Sequence, residues 1–303
     1  MTTVHDPVDL DNLDDLDSDQ LDCLDDNLQL LARHAGAPDQ HGPFTRDWGF
    51  QDLGGAPVFA REPVEDRLRR DAGLAVTWHD PAPLTQHLAR GRPVLCIADA
   101  YAMPWLPYAG HAHMDHSFIV AGIDAGLARI VDAYHNDTAW GPARPTRTTV
   151  PAADLTDLLG AAPRAATLEP AGPPAPPPPG DTLRANAAHI ADAGALRGYV
   201  ERIRGRADDP DVIAEVALAC WLGVRSRTRY AAWLAAHHGA DAGGRFADQV
   251  AAAWRRASEQ AYIAQLRAGR GRRVPTGVFD TLAGPVADAE ATAATAHRQG
   301  DLP

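Results

Sequence analysis

The chain has 303 residues, 45% of them hydrophobic, which is enough to bury one large core or two ordinary ones. Its formal net charge of −12 disfavours a nucleic-acid-binding protein, because such proteins gain affinity by neutralising phosphates. The three widely spaced cysteines do not form a disulfide framework, and the chain shows neither a signal peptide nor an apolar stretch long enough to cross a membrane, so we expect a cytoplasmic protein with reduced thiols.

The first predicted elements are an acidic arm and a helix. Residues 1–17 are rich in aspartate, and we expect them to be solvated and poorly ordered. A helix is predicted to start at Ser18 or Asp19, with further aspartates where the helix dipole favours them, and to end at Gly36. Its buried face is indicated by four leucines at helical spacing: Leu21, Leu24, Leu28 and Leu31.

After an irregular segment, the chain is predicted to form mostly strands. The elements are, in order, a strand at 75–78, a short helix at 83–90, a buried strand at 92–101, a hairpin at 111–134, and then a short strand and a short helix. A first helix followed mainly by strands is typical of an α+β domain, which we assign to residues 18–168.

A proline-rich spacer, residues 169–180, is the clearest domain boundary in the chain. Everything after it has helical periodicity, so residues 181–303 are predicted to form an all-α domain. The predicted helices span about 182–206, 210–237 and 244–268, with a weaker one from Pro285. Three tryptophans are expected in its core or in a groove: Trp221, Trp233 and Trp254.

The hairpin carries a candidate histidine–carboxylate pair. If its loop is centred on Asp124, His116 and Asp132 face each other across the ladder, at a distance that lets a carboxylate hold an imidazole. A shift of one residue in the register would put the two side chains on opposite faces. An ordinary hairpin with polar residues at its open end is the alternative interpretation.

Cys23 is the candidate nucleophile because it lies in the first turns of the predicted helix, beside the leucine face. Amide groups at a helix N-terminus favour a thiolate, whereas the neighbouring Asp22, Asp25 and Asp26 oppose it. Cys96 and Cys220 lie in apolar segments and are expected to be small buried side chains. The order Cys23, His116, Asp132 is that of a thiol nucleophile, a general base and an orienting carboxylate.

The region from about Asp19 to Asp154 resembles the N-terminal domain of the butirosin biosynthesis protein H family. The matching segments are DCLDDNLQLLARHAG with Cys23, PVLCIADAYAMPW, and HMDHSFIVAGID followed by IVDAY. The resemblance implies a papain-like fold with Cys23 as nucleophile, His116 as base and Asp132 as orienting residue. It also implies acyl transfer from a carrier-protein thioester to an amine or another nucleophile in secondary metabolism, and a helical region after the papain-like part.

The resemblance further implies which partners and cofactors to expect. The partners are an acyl or peptidyl carrier protein, whose phosphopantetheine carries the acyl group, and a small-molecule acceptor; no cofactor of the chain itself, nucleic acid or membrane is expected. An arginine-rich stretch with Arg225, Arg227 and Arg229 can meet an acidic carrier protein or the phosphate of phosphopantetheine, or can simply form a solvated helix face.

One position departs from the papain-like pattern. Such enzymes place a glutamine about six residues before the cysteine to help form the oxyanion hole. Here that position is Asp17 and the nearest glutamine is Gln20, so we expect the Cys23 amide, together with Gln20, to supply the oxyanion donors. Tyr101 and Tyr108 are the candidate substrate-binding residues.

A metal site is the main alternative for the same segment. HAHMDH matches the HxHxDH box of metallo-β-lactamase-like hydrolases, with His111, His113, Asp115 and His116 as the candidate ligands. That box normally leads into a helix, whereas here an apolar strand follows. A cysteine peptidase or thioesterase of the papain-like fold, and a binding module that has lost catalysis, are the other functions left open.

Overall fold

The computed structural model describes residues 10, 12–13, 16, 21–39, 41–79, 84–159 and 164–299. The chain is a mixed α and β protein with an antiparallel sheet and a C-terminal helical region, as the sequence predicts. Two compact units are formed: a sheet unit, residues 1–44 and 64–176, and a helical unit, residues 45–63 and 177–303. The predicted arm, residues 1–17, lies largely outside the described residues.

The boundary between the units differs in one respect from the sequence analysis. The segment Thr45–Pro63 belongs to the helical unit, although it lies within the range that was assigned to the first domain. The later division, at Pro176, falls inside the proline-rich spacer, but Glu169 and Pro170 of that spacer still belong to a strand. Backbone pairing keeps these two residues in the strand although the sequence there is rich in proline.

The sheet unit contains eight strands and five α-helices within the described residues. They are α1 Cys23–His34, α2 Gly42–Thr45 (which ends at the first residue of the helical unit), α3 Val64–Arg67, β1 Leu74–His79, α4 Leu84–Ala89, β2 Val94–Asp99, β3 Asp115–Asp124, β4 Leu127–Asp132, β5 Asn136–Thr138, β6 Gly141–Ala143, β7 Thr146–Pro151, α5 Asp154–Leu159 and β8 Arg164–Pro170. Six strands form one antiparallel sheet in the order β1-β8-β2-β3-β4-β7, while β5 and β6 form a separate hairpin.

Helix α1 begins later than predicted. Its first residue is Cys23, because the Asp22 side chain caps the helix by accepting a hydrogen bond of 2.9 Å from the Asp25 amide. The predicted starts, Ser18 and Asp19, lie outside the described residues. Helix α1 packs on β3 and buries its leucine face against strand residues such as Ile119.

The helical unit is built from seven α-helices of the described chain. They are α6 Pro179–Ile190, α7 Gly194–Arg204, α8 Pro210–His238, α9 Ala240–Phe246, α10 Ala252–Ala268, α11 Gly277–Thr281 and α12 Ala287–Gln299. The single helix predicted over 182–206 is broken between α6 and α7, where Ala191 and Ala193 have φ angles of 39° and 57°. No helix among the described residues is both long and apolar enough to cross a membrane.

A buried carboxylate organises the core of the helical unit. Glu290 is 1% exposed, and it accepts hydrogen bonds from Trp48 Nε1 at 2.6 Å, Trp254 Nε1 at 2.6 Å and Arg227 Nε at 2.7 Å. Trp48 comes from the Thr45–Pro63 segment, so this network joins that segment to α8, α10 and α12. Trp233 and Trp254 are buried in the core, whereas Trp221 is only partly buried.

We predict that Glu290→Ala lowers the free energy of unfolding by about 3–5 kcal/mol, because it leaves the Arg227 charge buried without its partner. The matched control is Asp288→Ala on the same helix, which removes only the exposed ion pair of 2.9 Å with Arg197. That control is expected to change the stability by about 0.5 kcal/mol. Urea denaturation followed by circular dichroism measures both variants, and equal losses would contradict the structural role given to Glu290.

Candidate active site

The structure brings Cys23, His116 and Asp132 together in the sheet unit. Cys23 is the first residue of α1, His116 is the second residue of β3, and Asp132 is the last residue of β4. His116 Nε2 lies 2.8 Å from Asp132 Oδ2, and both side chains are 1% exposed. The partly buried Cys23 side chain is the second neighbour whose charge acts on the His116 ring. Because Asp132 occupies Nε2, Nδ1 is the ring nitrogen left for sulfur.

The predicted register of the β3–β4 hairpin is wrong, although the predicted contact between His116 and Asp132 is present. The turn is formed by Ala125 and Gly126, with φ angles of 48° and 80°, so that Asp124 pairs with Leu127. Positive φ angles at both turn residues suit a two-residue hairpin of type I′. The turn therefore lies one to two residues later in the chain than the predicted centre at Asp124.

A β-bulge at Ala121 puts His116 and Asp132 on the same face of the sheet. The register near the turn, if continued, would place Ile119 opposite Asp132 and so direct His116 to the other face. The irregularity between Val120 and Gly122 moves the pairing by one residue, and Ile119 pairs with Val131 instead. Asp132 is then a diagonal neighbour of His116, within reach of an imidazole ring.

Three donors hold the Asp132 carboxylate. Oδ2 accepts hydrogen bonds from His116 and from Trp105 Nε1 at 2.9 Å, and Oδ1 accepts one from the Tyr134 amide at 3.1 Å. Burial raises the pKa of Asp132, but the His116 charge and these hydrogen bonds outweigh burial and hold the pKa below its usual value. The carboxylate therefore stays ionised inside the protein.

The electrostatics of His116 follow from its two neighbours. Burial alone lowers the pKa of its imidazole, but the charges of Asp132 and Cys23, together with the hydrogen bond to Asp132, outweigh burial and raise the pKa to about 10. The ring therefore holds a proton near neutral pH. The other two cysteines have no such neighbour, and burial raises the pKa of both Cys96 and Cys220 to about 12.

The buried side chain of Asn27 connects the three elements that carry the site. Its Nδ2 donates to the Ser117 carbonyl at 2.8 Å and to the Cys23 carbonyl at 2.9 Å, and its Oδ1 accepts from the Ala133 amide at 3.0 Å. Ser117 Oγ also donates to the Cys23 carbonyl at 2.7 Å. The start of α1 is thus tied to the residue after His116 and to the residue after Asp132.

Asn27, Ser117 and Trp105 are parts of the site that were not predicted from the sequence. A sequence signal exists for one of them, because Asn27 is an amide one turn after Cys23 on a helix face rich in leucine. Gln20, the candidate oxyanion donor, lies outside the described residues, as does Asp17.

The two candidate substrate-binding tyrosines have different surroundings. Tyr101 is 43% exposed and stacks on His113 with a centroid distance of 4.2 Å. Tyr108 is buried, and its hydroxyl lies 3.2 Å from the Tyr134 hydroxyl. Tyr134 in turn packs edge-on against His116 at 5.0 Å. Tyr108 therefore supports the site from behind, and only Tyr101 presents a ring to solvent.

The four residues of the HAHMDH box are held by different neighbours. His111 stacks on Trp140, His113 Nδ1 lies 2.6 Å from Asp99 Oδ2, and the Asp115 side chain is 80% exposed. Strand alternation separates Asp115 from His116, which is turned inward to Asp132. Across the described ranges, no group of three or more histidine, cysteine or acidic side chains is arranged to hold a metal ion.

Comparison with known proteins adds no assignment: no protein-family model and no curated protein matches the chain.

We predict that Asn27→Ala lowers the free energy of unfolding by about 2–3 kcal/mol, because buried partners in three segments lose their hydrogen bonds. Asn136→Ala is the matched control in the same unit, since the side-chain amide of Asn136 makes one long hydrogen bond of 3.3 Å, to Tyr108. Chemical denaturation of both variants tests the difference. A loss for Asn27→Ala no larger than that for the control would contradict the role of Asn27 as a structural tie.

Proposed function

We propose that the chain is a cysteine-dependent acyltransferase with a papain-like sheet unit. The observation that carries this proposal is the buried His116–Asp132 pair beside the one cysteine that is not fully buried. A thiol at a helix N-terminus beside an imidazole with its own carboxylate is the arrangement of a covalent acyl-transfer catalyst. The first helix packed on an antiparallel sheet, with Cys23 at the helix start, also supports the papain-like assignment.

In the proposed reaction, the Cys23 sulfur attacks the carbonyl carbon of a thioester, and the carbonyl electron pair moves onto oxygen. The tetrahedral intermediate collapses by breaking the carbon–sulfur bond to the donor, and His116 gives its proton to the departing thiol. The acyl group remains on Cys23. An acceptor amine then attacks this acyl-enzyme, His116 takes the amine proton, and Cys23 leaves as the amide bond forms.

The oxyanion is expected to lie at the start of α1. The first amides of a helix have no intrahelical acceptor, so the amides of Cys23 and Leu24 are free of the helical ladder. Asp22 caps the amide of Asp25, the next residue along the helix. Donors fixed before the reaction stabilise the developing charge without reorganisation. Gln20 keeps its proposed part as a side-chain donor.

The proposal includes the donor and the compartment. The acyl group is supplied by an acyl or peptidyl carrier protein through its phosphopantetheine thioester, and a small molecule accepts it, as in secondary metabolism. A free thiol nucleophile needs reducing conditions, so we place the protein in the cytoplasm. Hydrolysis or peptide cleavage would use the same acyl-enzyme with water as the acceptor or an amide as the donor.

We predict that acetyl and hexanoyl N-acetylcysteamine thioesters leave a mass adduct on Cys23. Cys23→Ala abolishes the adduct and turnover, whereas the control Cys96→Ala keeps both, because Cys96 is fully buried. His116→Ala is expected to slow acylation by about 10²–10⁴-fold, since it removes the proton carrier. Intact-protein mass spectrometry and peptide mapping measure these outcomes.

The same experiment separates the other functions. Turnover that survives in Cys23→Ala but is lost on treatment with a chelator would replace the proposal with a metallohydrolase. Absence of both adduct and turnover with every thioester would instead favour a binding module. Release of free acid in the presence of amines would favour a thioesterase.

A further inference from the structure

The arginine-rich stretch considered in the sequence analysis does not lie on the surface. Arg227 is fully buried and paired with Glu290, and Arg225 and Arg229 are each 8% exposed. The Arg225 guanidinium lies over the Trp221 ring at 4.1 Å. These three side chains are part of the interior of the helical unit, so a partner surface must be sought elsewhere.

An exposed apolar group lies on the outer side of α10. Tyr262 is 56% exposed, Ile263 is 51% exposed and Leu266 is 37% exposed. Their spacing puts them together on one side of the helix, whereas the opposite side, which includes Trp254 and Ala261, is buried in the core. A helix that exposes large apolar side chains while its other side is already packed marks an interaction surface.

Arginines surround this apolar group. Residues 252–276 contain a single carboxylate, Glu259, and six exposed arginines: Arg255, Arg256, Arg267, Arg270, Arg272 and Arg273. None of the six appears among the ion pairs of the described residues. Such a concentration of uncompensated positive charge is unusual in a chain with a net charge of −12.

The arginine-bearing loop is folded against the end of the helix. The Arg272 amide donates to the Arg267 carbonyl at 2.9 Å, and Arg267 Nε donates to the Arg273 carbonyl at 2.8 Å. These contacts keep the loop that carries Arg270, Arg272 and Arg273 at the C-terminal end of α10, where Leu266 lies. We name the whole surface the α10 patch: Tyr262, Ile263, Leu266 and the six arginines.

We propose that the α10 patch is the docking surface for an acidic protein, and that this protein is the carrier that delivers the acyl donor. That the acidic protein is the acyl carrier rests on the proposed function. Guanidinium groups bind carboxylates in a planar, bidentate geometry, and a small apolar centre with a charged rim is the usual anatomy of a protein interface.

A protein fits this surface better than the other polyanions. Nucleic-acid surfaces offer phosphates and stacked bases, and Ile263 and Leu266 at the centre of the patch gain little from them. Membrane-binding helices bury a long apolar face in the lipid, whereas here only about one turn of α10 exposes apolar side chains.

The test is a calorimetric titration of the full chain with a purified holo acyl carrier protein, which measures the binding affinity at low and at high salt. Arg272→Glu/Arg273→Glu is expected to weaken binding by about tenfold or more, and Ile263→Ser/Leu266→Ser by a similar factor. Matched controls are Arg184→Glu/Arg206→Glu, which reverse two exposed arginines of the same unit, and Leu218→Ser, which replaces another exposed leucine. The controls are expected to stay within about twofold.

Two further measurements make the outcomes decisive. Acylation of Cys23 by hexanoyl N-acetylcysteamine is expected to be unchanged in the patch variants, because this donor needs no docking. If small thioesters acylate Cys23 but the chain does not bind the carrier, the docking proposal is overturned and the proposed function stands. The same holds if the carrier binds equally well to the patch variants. Patch-dependent carrier binding without acylation by small thioesters supports docking and overturns the function. Patch-dependent binding to phosphatidylglycerol vesicles, in place of the carrier, overturns docking in favour of a membrane.

Discussion

The geometry of the candidate site depends on one side chain, the buried amide of Asn27. A cysteine at a helix start and a histidine on a strand belong to separate elements, and packing of apolar side chains alone leaves room for sliding between them. Asn27 removes that freedom, because its hydrogen bonds fix the Cys23 carbonyl, the Ser117 carbonyl and the Ala133 amide at once. The backbone segments that carry Cys23, His116 and Asp132 are thereby fixed relative to one another.

Each unit of the protein contains a buried carboxylate that is held in a similar way. Asp132 accepts from one tryptophan N–H and from His116, and Glu290 accepts from two tryptophan N–H groups and from Arg227. The difference lies in the cation. A guanidinium keeps its proton at every relevant pH, so Glu290 can only stabilise structure. An imidazole can exchange its proton with the Cys23 thiol, so Asp132 can support chemistry.

Much of the site was predictable because the residue types and their order carry the chemistry. The contact of His116 with Asp132 is local to one hairpin, so the sequence could suggest it. The register that forms this contact was not predictable, since the turn at Ala125 and the bulge at Ala121 are small backbone choices that the sequence hardly marks. Asn27 and Trp105 act through tertiary hydrogen bonds, for which a single sequence holds no pairing information. The inclusion of Thr45–Pro63 in the helical unit likewise depends on long-range contacts of Trp48.

The central claim is that Cys23, His116 and Asp132 share protons as one unit, and NMR titration of the His116 imidazole tests it most directly. We expect this ring to stay protonated far above the ordinary pKa of 6.5, with a pKa of about 10. In Cys23→Ala the pKa should fall, because the negative charge that the sulfur supplies is gone. Titration of His116 near 6.5, unchanged by Cys23→Ala, would contradict the account.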